Sequence, residues 1–176
     1  MNKIFIVRTL NALFALVLMG VLTGAYYQQF FRHETPCPLC LLQRLGMIGV
    51  AIGALMNLRF GISVKHYALS LLAAFFGGAV STRQILLHVC PGFPVFGYPV
   101  FGMGLYTWAF IVFCSSVLAV IGLLFLYSPK DQSNIPMNLF EKCVFGLVFL
   151  LILLNCITTL MECGMGFCVD VPWPQP

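Results

Sequence analysis

Residues 105–127 read LYTWAFIVFCSSVLAVIGLLFLY, and this stretch decides the class of fold because it contains no charged side chain. A helix needs about 20 mostly apolar residues to cross a bilayer. Four further stretches qualify: 10–27, 40–58, 67–89 and 143–161. Their apolar runs are continuous rather than alternating, which favours helices over a β-barrel. We therefore predict an all-α integral membrane protein, a four-helix transmembrane bundle core with a fifth transmembrane helix.

The composition of the chain agrees with this class. The 176 residues are 61% hydrophobic and 8% charged, against about 45–50% and about 25% in an ordinary soluble domain. Such a chain cannot cover a soluble surface, which excludes a soluble enzyme, a disordered chain and a nucleic-acid-binding domain. The net charge of +4 comes from few residues and does not indicate a polyanionic partner.

The lysines and arginines predict the orientation. Six of them share one side of the predicted membrane: Lys3, Arg8, Arg59, Lys65, Lys130 and Lys142. The positive-inside rule places that side in the cytoplasm. The chain is then a single membrane domain, 1–176, with external loops 28–39 and 90–104 and an external tail 162–176. An aromatic belt is expected at the outer interface, formed by Tyr26, Tyr27, Tyr98, Tyr106, Trp108 and Trp173.

This topology divides the eight cysteines into two groups. Five lie at or beyond the predicted outer surface: Cys37, Cys40, Cys90, Cys163 and Cys168. Disulfides persist on that side because compartments outside the cytoplasm are oxidising. The other three fall within the spans or at the cytoplasmic end, and we expect them to be small buried hydrophobic residues: Cys114, Cys143 and Cys156.

A cysteine pair opens the second predicted helix, in the segment Thr35-Pro36-Cys37-Pro38-Leu39-Cys40. Cysteines three residues apart near a helix N-terminus can face each other and close a disulfide. The helix dipole and its free N–H groups favour a thiolate there. We interpret this as a redox pair. A four-cysteine zinc site and a purely structural disulfide are the alternatives, and we expect no metal ligand.

Polar side chains follow within the apolar helices. Arg44, preceded by Gln43, lies about 6 Å deeper than Cys40, and a charge inside a membrane span marks function by default. On the third helix Arg83 and Gln84 lie about 9 Å below the outer end, with His88 near the mouth. We expect Arg44, Gln43, Arg83 and His88 to form a polar pocket facing an electron acceptor. Snorkelling of Arg83 to headgroups and an interfacial His88 are the alternatives.

The external tail carries a second pair, Cys163 and Cys168, with two glycines between them that permit a tight loop. Both an exchange pair and a structural disulfide are open. The loop after the third span repeats an apolar, turn-rich motif, in 93–97 and again in 98–102. It is an interfacial anchor or a cover over a lipid-soluble cofactor.

The segment from Pro36 to Arg44, PCPLCLLQR, closely resembles the motif of the DsbB family, the bacterial disulfide bond formation protein B. The resemblance implies an inner-membrane thiol oxidase, which re-oxidises a periplasmic DsbA-like thioredoxin-fold dithiol protein and passes electrons to a quinone (ubiquinone or menaquinone). It implies that Cys37 and Cys40 are the quinone-linked pair. It also implies that Cys40 lies nearest the quinone, and that Arg44 helps hold the quinone and favours the thiolate.

The chain departs from the family pattern in its second pair. The better-known members carry it in the second external loop, where this chain has only Cys90, and both their termini are cytoplasmic. We expect Cys163 and Cys168 to replace that pair, with Cys90 free or transiently engaged. Cys90 bonded to a tail cysteine is the alternative. Because sequence does not set the direction of electron flow, a quinone reductase resembling the vitamin K epoxide reductase group stays open. A membrane carrier of reducing equivalents or metal and a structural membrane subunit are two further alternatives.

Overall fold

Five long helices make up the fold. The computed structural model describes residues 3–34, 36–89, 99–128, 136–164 and 166. The helices are α1 (Lys3–Phe31), α2 (Pro38–Phe60), α3 (Val64–Val89), α4 (Leu105–Leu126) and α5 (Leu139–Cys163). Each is long and apolar enough to cross a membrane, and each predicted span falls on one of them. The predicted all-α membrane fold is confirmed.

The chain marks several of the helix ends with specific residues. Cys37 is the N-cap of α2, with extended backbone, and Pro38 takes the first helical position, where a missing N–H costs nothing. Gly61 turns the chain from α2 into α3 at a φ of 91°, which glycine adopts without strain. Asn138 and Glu141 form a capping box that starts α5.

Small residues bring α2 and α3 into close contact. Three glycines of α2 and three small residues of α3 line this seam: Gly46, Gly49, Gly53, Ser70, Ala73 and Gly77. A Cβ atom added at Gly49 would lie 2.9 Å from the Cβ atom of Ala73. Membrane helices pack closely through such small residues. The seam leads along both helices toward the end of the bundle that holds Cys37, which we call the cysteine end.

A buried ion pair fixes α5 against α1 at the opposite end. Arg8 donates from Nε to Glu141 Oε1 at 2.9 Å and from Nη2 to Glu141 Oε2 at 2.7 Å. Both side chains are buried, and a two-point arginine–carboxylate contact is the geometry that best offsets the loss of water. The contact sets the register of α5, which packs on α1 and α2.

A second polar cluster ties three helices together near the same end. The amide nitrogen of Asn11 donates to the Tyr67 hydroxyl at 2.9 Å, and that of Asn57 donates to Asn11 Oδ1 at 3.1 Å. Asn57 Oδ1 also accepts from the backbone N–H of Ser63 at 3.0 Å. These contacts link α1, α2 and α3. The buried amides are satisfied by one another, as an interior without water requires.

Two expectations about exposure were wrong. Tyr26 and Tyr106 are buried in the bundle rather than placed in an aromatic belt, although Tyr27 is exposed as predicted; Tyr98 and Trp173 lie outside the described residues. The three cysteines expected to be buried are exposed on the bundle surface: Cys114, Cys143 and Cys156. Each has a neighbour in sequence that takes the buried position instead: Phe113, Val144 and Asn155. One residue along a helix turns a side chain by about 100°.

Candidate functional site

The cysteine pair lies where the chain enters α2. The backbone N–H of Cys40 donates to Cys37 Sγ at 3.1 Å, so the first cysteine caps the helix that carries the second. Both thiols are free and partly buried. A hydrogen bond with Cys40, together with burial, raises the pKa of the Cys37 thiol above its ordinary value. Cys37 therefore keeps its proton and can donate it in a hydrogen bond to the sulfur of Cys40.

Gln84 of α3 lies against both sulfurs. Its Nε2 is 3.3 Å from Cys37 Sγ and 3.6 Å from Cys40 Sγ. Its Oε1 accepts from Gln43 Nε2 at 2.8 Å, which leaves the amide nitrogen directed at the thiols. Gln84 was expected on the third helix without a role of its own. The available signal was a glutamine one turn before His88 in a predicted span.

Arg44 is buried and held by α1. Its Nη1 donates to Gln29 Oε1 at 2.6 Å, and its Nη2 donates to the carbonyl oxygen of Ala25 at 3.5 Å. The guanidinium carbon lies 4.7 Å from the centre of the Tyr26 ring, a cation–π contact. Sequence reasoning did not assign Tyr26 or Gln29 to the site, because their partner is on another helix.

A cavity of about 350 Å³ opens beside these groups. Cys40, Gln43, Arg44 and Gln84 belong to its wall. Much of the remaining wall is apolar and includes Leu22, Met47, Val100, Leu105, Trp108 and Ala109. The indole N–H of Trp108 donates to the carbonyl oxygen of Val100 at 2.9 Å, which fixes the loop before α4 against the cavity. A mainly apolar site with a few convergent polar groups suits a small organic ligand.

The structure separates the four residues expected to form the polar pocket. Gln43 and Arg44 line the cavity, whereas Arg83 is exposed and is not among the residues of its wall. The reason is that successive residues of a helix are turned by about 100°. Gln84 faces α2, and Arg83, the residue before it, therefore points away. His88 is not among the residues of the cavity wall. Its ring stacks on that of Tyr106, which lines the cavity, with ring centres 5.0 Å apart.

The second pair is only partly within the described residues. Cys163 ends α5 and is disulfide-bonded. Cys90 and Cys168 lie outside the described residues, so the pairing among these three stays a prediction. Within the described ranges no group of three or more His, Cys, Asp or Glu side chains could hold a metal ion.

The fold and the site define a helical membrane protein with a dithiol beside an internal apolar cavity. The family model described as "Disulfide bond formation protein DsbB" matches residues 7–95, half of the chain. That range includes most of α1, all of α2 and α3, and the cysteine pair. The chain therefore belongs to the DsbB family.

Individual relatives support the same family. "Disulfide bond formation protein B" from Burkholderia pseudomallei is 39% identical over 90 residues, 49% of this chain and 53% of the relative. The chain thus spans about half the length of that relative. The protein of the same description from Pseudomonas syringae pv. tomato is 32% identical over 142 residues, 61% of this chain and 83% of the relative. "Disulfide bond formation protein B 1" from Pseudomonas fluorescens is 27% identical over 147 residues, which are 64% of this chain and 86% of the relative. No solved structure matches the chain significantly.

Proposed function

We propose that this chain is a protein-dithiol:quinone oxidoreductase of the bacterial inner membrane. It re-oxidises a periplasmic DsbA-like thioredoxin-fold protein and passes the electrons to ubiquinone or menaquinone. The N-terminus is cytoplasmic and the tail after α5 is periplasmic, by the positive-inside rule. The observation that carries the proposal is that Cys40 lies in the wall of the cavity beside Arg44.

The residues of the cavity fit a quinone. A quinone has a flat apolar ring and two carbonyl acceptors, and its reduced form has two O–H donors. Arg44 and Gln43 supply donors in the cavity wall. Gln28 also lines the cavity, and among the described residues its buried Oε1 atom has no hydrogen-bond partner. A buried acceptor without a partner is costly, and a hydroquinone O–H would satisfy it.

When bound, the quinone supplies the two-electron acceptance that no side chain can perform. The chain supplies the thiol chemistry. Cys40, at the N-terminus of α2 and beside Arg44, is the thiol that the dipole and the guanidinium favour as a thiolate. In the oxidised pair Cys37 is the sulfur open to attack by a second thiolate, and Cys40 is the better leaving group. Gln84 holds the two sulfurs together throughout.

The tail cysteines complete the path. We assign Cys163 and Cys168 as the pair that exchanges with the partner, and Cys90 as a residue that is free or transiently engaged. A thiolate of the partner attacks the tail disulfide, and the released tail thiolate attacks the Cys37–Cys40 disulfide. The second partner thiolate then closes the partner disulfide and releases the other tail cysteine, which closes the tail disulfide and releases Cys37. Each exchange forms one S–S bond and breaks one, so the two electrons of the partner dithiol arrive at Cys37 and Cys40.

Quinone reduction by the purified protein tests this function. The protein in detergent is mixed with ubiquinone and a reduced thioredoxin-fold oxidase, and the quinone absorbance is followed. We expect consumption by the wild type and none by Cys37→Ala or Cys40→Ala. Cys114→Ala is the matched control, because Cys114 is a free, exposed cysteine of α4. Wild-type protein that leaves quinone untouched would contradict the proposal.

A further inference from the structure

Two polar contacts connect α5 to the residues that hold Arg44. The Tyr26 hydroxyl donates to Asn155 Oδ1 at 3.1 Å. Gln29 Nε2 donates to Glu162 Oε1 at 3.2 Å. Tyr26 is the ring beneath the guanidinium of Arg44 and Gln29 is its closest acceptor, at 2.6 Å. Each of these α1 partners of Arg44 is therefore tied to the last helix.

We propose that Asn155 and Glu162 are positioning residues that aim the guanidinium of Arg44 at the cavity beside Cys40. The inference rests on the proposed function, in which Arg44 supplies a hydrogen-bond donor in the wall of the quinone cavity. Both residues lie beyond the range 7–95 that the family model matches. The fifth helix is thereby part of the ligand site, although neither residue is among those that line the cavity.

The burial of Asn155 supports this role. Asn155 is a buried polar residue in an interface of α1 and α5 that is otherwise mainly apolar. A buried amide in a membrane helix is costly unless it is paired, so a leucine would pack here at lower cost. What the amide adds is an acceptor for the Tyr26 hydroxyl. This contact fixes the plane of the Tyr26 ring, and a cation–π contact depends on the ring face lying under the cation.

The contact of Glu162 orients the amide of Gln29. A carboxylate only accepts hydrogen bonds and a guanidinium only donates them. Gln29 lies between the two, so its NH₂ group must face Glu162 and its oxygen must face Arg44. The observed contacts have this arrangement. Without the carboxylate the amide can rotate and present its NH₂ group to Arg44, where two donors would oppose each other.

The two contacts differ in expected strength. Tyr26 and Asn155 are both buried, and a buried hydrogen bond is worth about fivefold to tenfold in an equilibrium. Glu162 is exposed, and contacts of exposed charges are weak and screened by salt. Asn155 is thus the stronger positioning residue, and the contribution of Glu162 falls as the salt concentration rises.

The test uses substitutions in the full-length protein in detergent. Asn155→Leu removes the acceptor with little change in volume, and Asn155→Asp keeps an oxygen acceptor. We expect Asn155→Leu to raise the KM for ubiquinone about fivefold with kcat unchanged. The separate variant Asn155→Asp should have the wild-type KM. Glu162→Gln should raise KM about twofold at low salt and not at high salt. Leu151→Ala is the packing control, because Leu151 is buried one turn earlier on α5; it should lower Tm and leave KM unchanged.

Ligand binding without turnover gives the second readout. Trp108 lines the cavity, and Trp173→Phe leaves it as the one tryptophan of the chain. In that background, quenching of the Trp108 fluorescence by ubiquinone reports the dissociation constant. The constant should rise in Asn155→Leu by the same factor as KM. A wild-type KM in Asn155→Leu, or an equal rise in Leu151→Ala, overturns the positioning role while the wild-type enzyme still reduces quinone. A wild-type protein that does not reduce quinone would instead contradict the proposed function itself.

Discussion

The amide nitrogen of Gln84 lies 3.3 Å from the Sγ atom of Cys37, so a neutral donor from α3 reaches the thiol that caps α2. The same nitrogen is 3.6 Å from the Sγ atom of Cys40. A neutral amide can remain beside thiol, thiolate or disulfide without a charge penalty. The glycine-rich seam between α2 and α3 sets this distance, because it determines how closely the two helices approach.

Replacing Gln84 by leucine should slow alkylation of the cysteine pair. The substitution removes the donor to both sulfurs, and a hydrogen bond to a charged group is worth about 1.5–3 kcal/mol, or roughly tenfold or more in the thiolate population. The rate of modification by iodoacetamide at neutral pH is measured by mass spectrometry of the peptide that contains both cysteines. Thr82→Val is the control, since Thr82 is exposed on the same helix and bonds to the carbonyl oxygen of Gly78. Equal rates in all three proteins would refute the role of Gln84.

Replacing Arg44 by alanine should weaken the apparent affinity for quinone. The variant loses a buried cation in the cavity wall, and loss of a charged hydrogen-bond donor costs about tenfold or more in KM. Steady-state kinetics with varied ubiquinone measure this. Arg83→Ala is the matched control, because Arg83 is an exposed arginine that is not among the residues of the cavity wall. An unchanged KM in Arg44→Ala would remove Arg44 from the binding site.

Replacing Gly53 by alanine should destabilise the bundle. The new Cβ atom would overlap Ser70 Oγ and lie 2.6 Å from the carbonyl oxygen of His66, and overpacking of this kind costs about 1–3 kcal/mol. Thermal unfolding in detergent should show a lower Tm. Gly20→Ala on α1 meets no atom within 4 Å and should leave Tm unchanged or raise it, since alanine favours helix by about 1 kcal/mol. Equal Tm values in the two variants would argue against a tight seam.

Replacing Arg8 by methionine should cost more stability than replacing both members of its ion pair. The single variant leaves the carboxylate of Glu141 buried without its cation, a loss of about 3–5 kcal/mol. Adding Glu141→Gln removes the unpaired charge and can keep the contact with Asn138, so the double variant should recover part of the Tm. If the loss of stability in the double variant equals the sum of the losses in Arg8→Met and Glu141→Gln measured singly, the two side chains do not act as a pair.

Replacing Cys163 by serine should separate the two halves of the proposed electron path. The partner dithiol should no longer be oxidised, because the exchange pair is broken. Added quinone should still close the Cys37–Cys40 disulfide, which thiol labelling followed by mass spectrometry would detect. Full turnover in both Cys163→Ser and Cys168→Ser would show that the tail cysteines are not the exchange pair.

The parts of this structure that sequence predicts well are those set by length and local pattern. The five spans follow from apolar runs, and the position of Cys37 at a helix start follows from the proline after it. The choice between Arg83 and Gln84 could not be made in the same way. In a membrane protein the outward face of a helix is as apolar as the inward face, so hydrophobic periodicity does not mark the buried side.

The same physical limit explains why sequence did not predict which of two neighbouring tyrosines is buried. Tyr26 and Tyr27 are adjacent tyrosines of equal chemistry, yet one is buried and the other exposed. Contacts with other helices distinguish them, because Arg44 of α2 and Asn155 of α5 both contact Tyr26. Contacts between residues more than 100 positions apart leave no local signal in a single sequence.

The number of helices decides at which end of the bundle the last helix finishes. After an even number of helices, that end would be the one that holds Arg8. The fifth helix makes the count odd, so Cys163, its last residue, lies at the end that holds Cys37. Adding one helix therefore brings a cysteine to the side of the first pair, with no change in the first four helices.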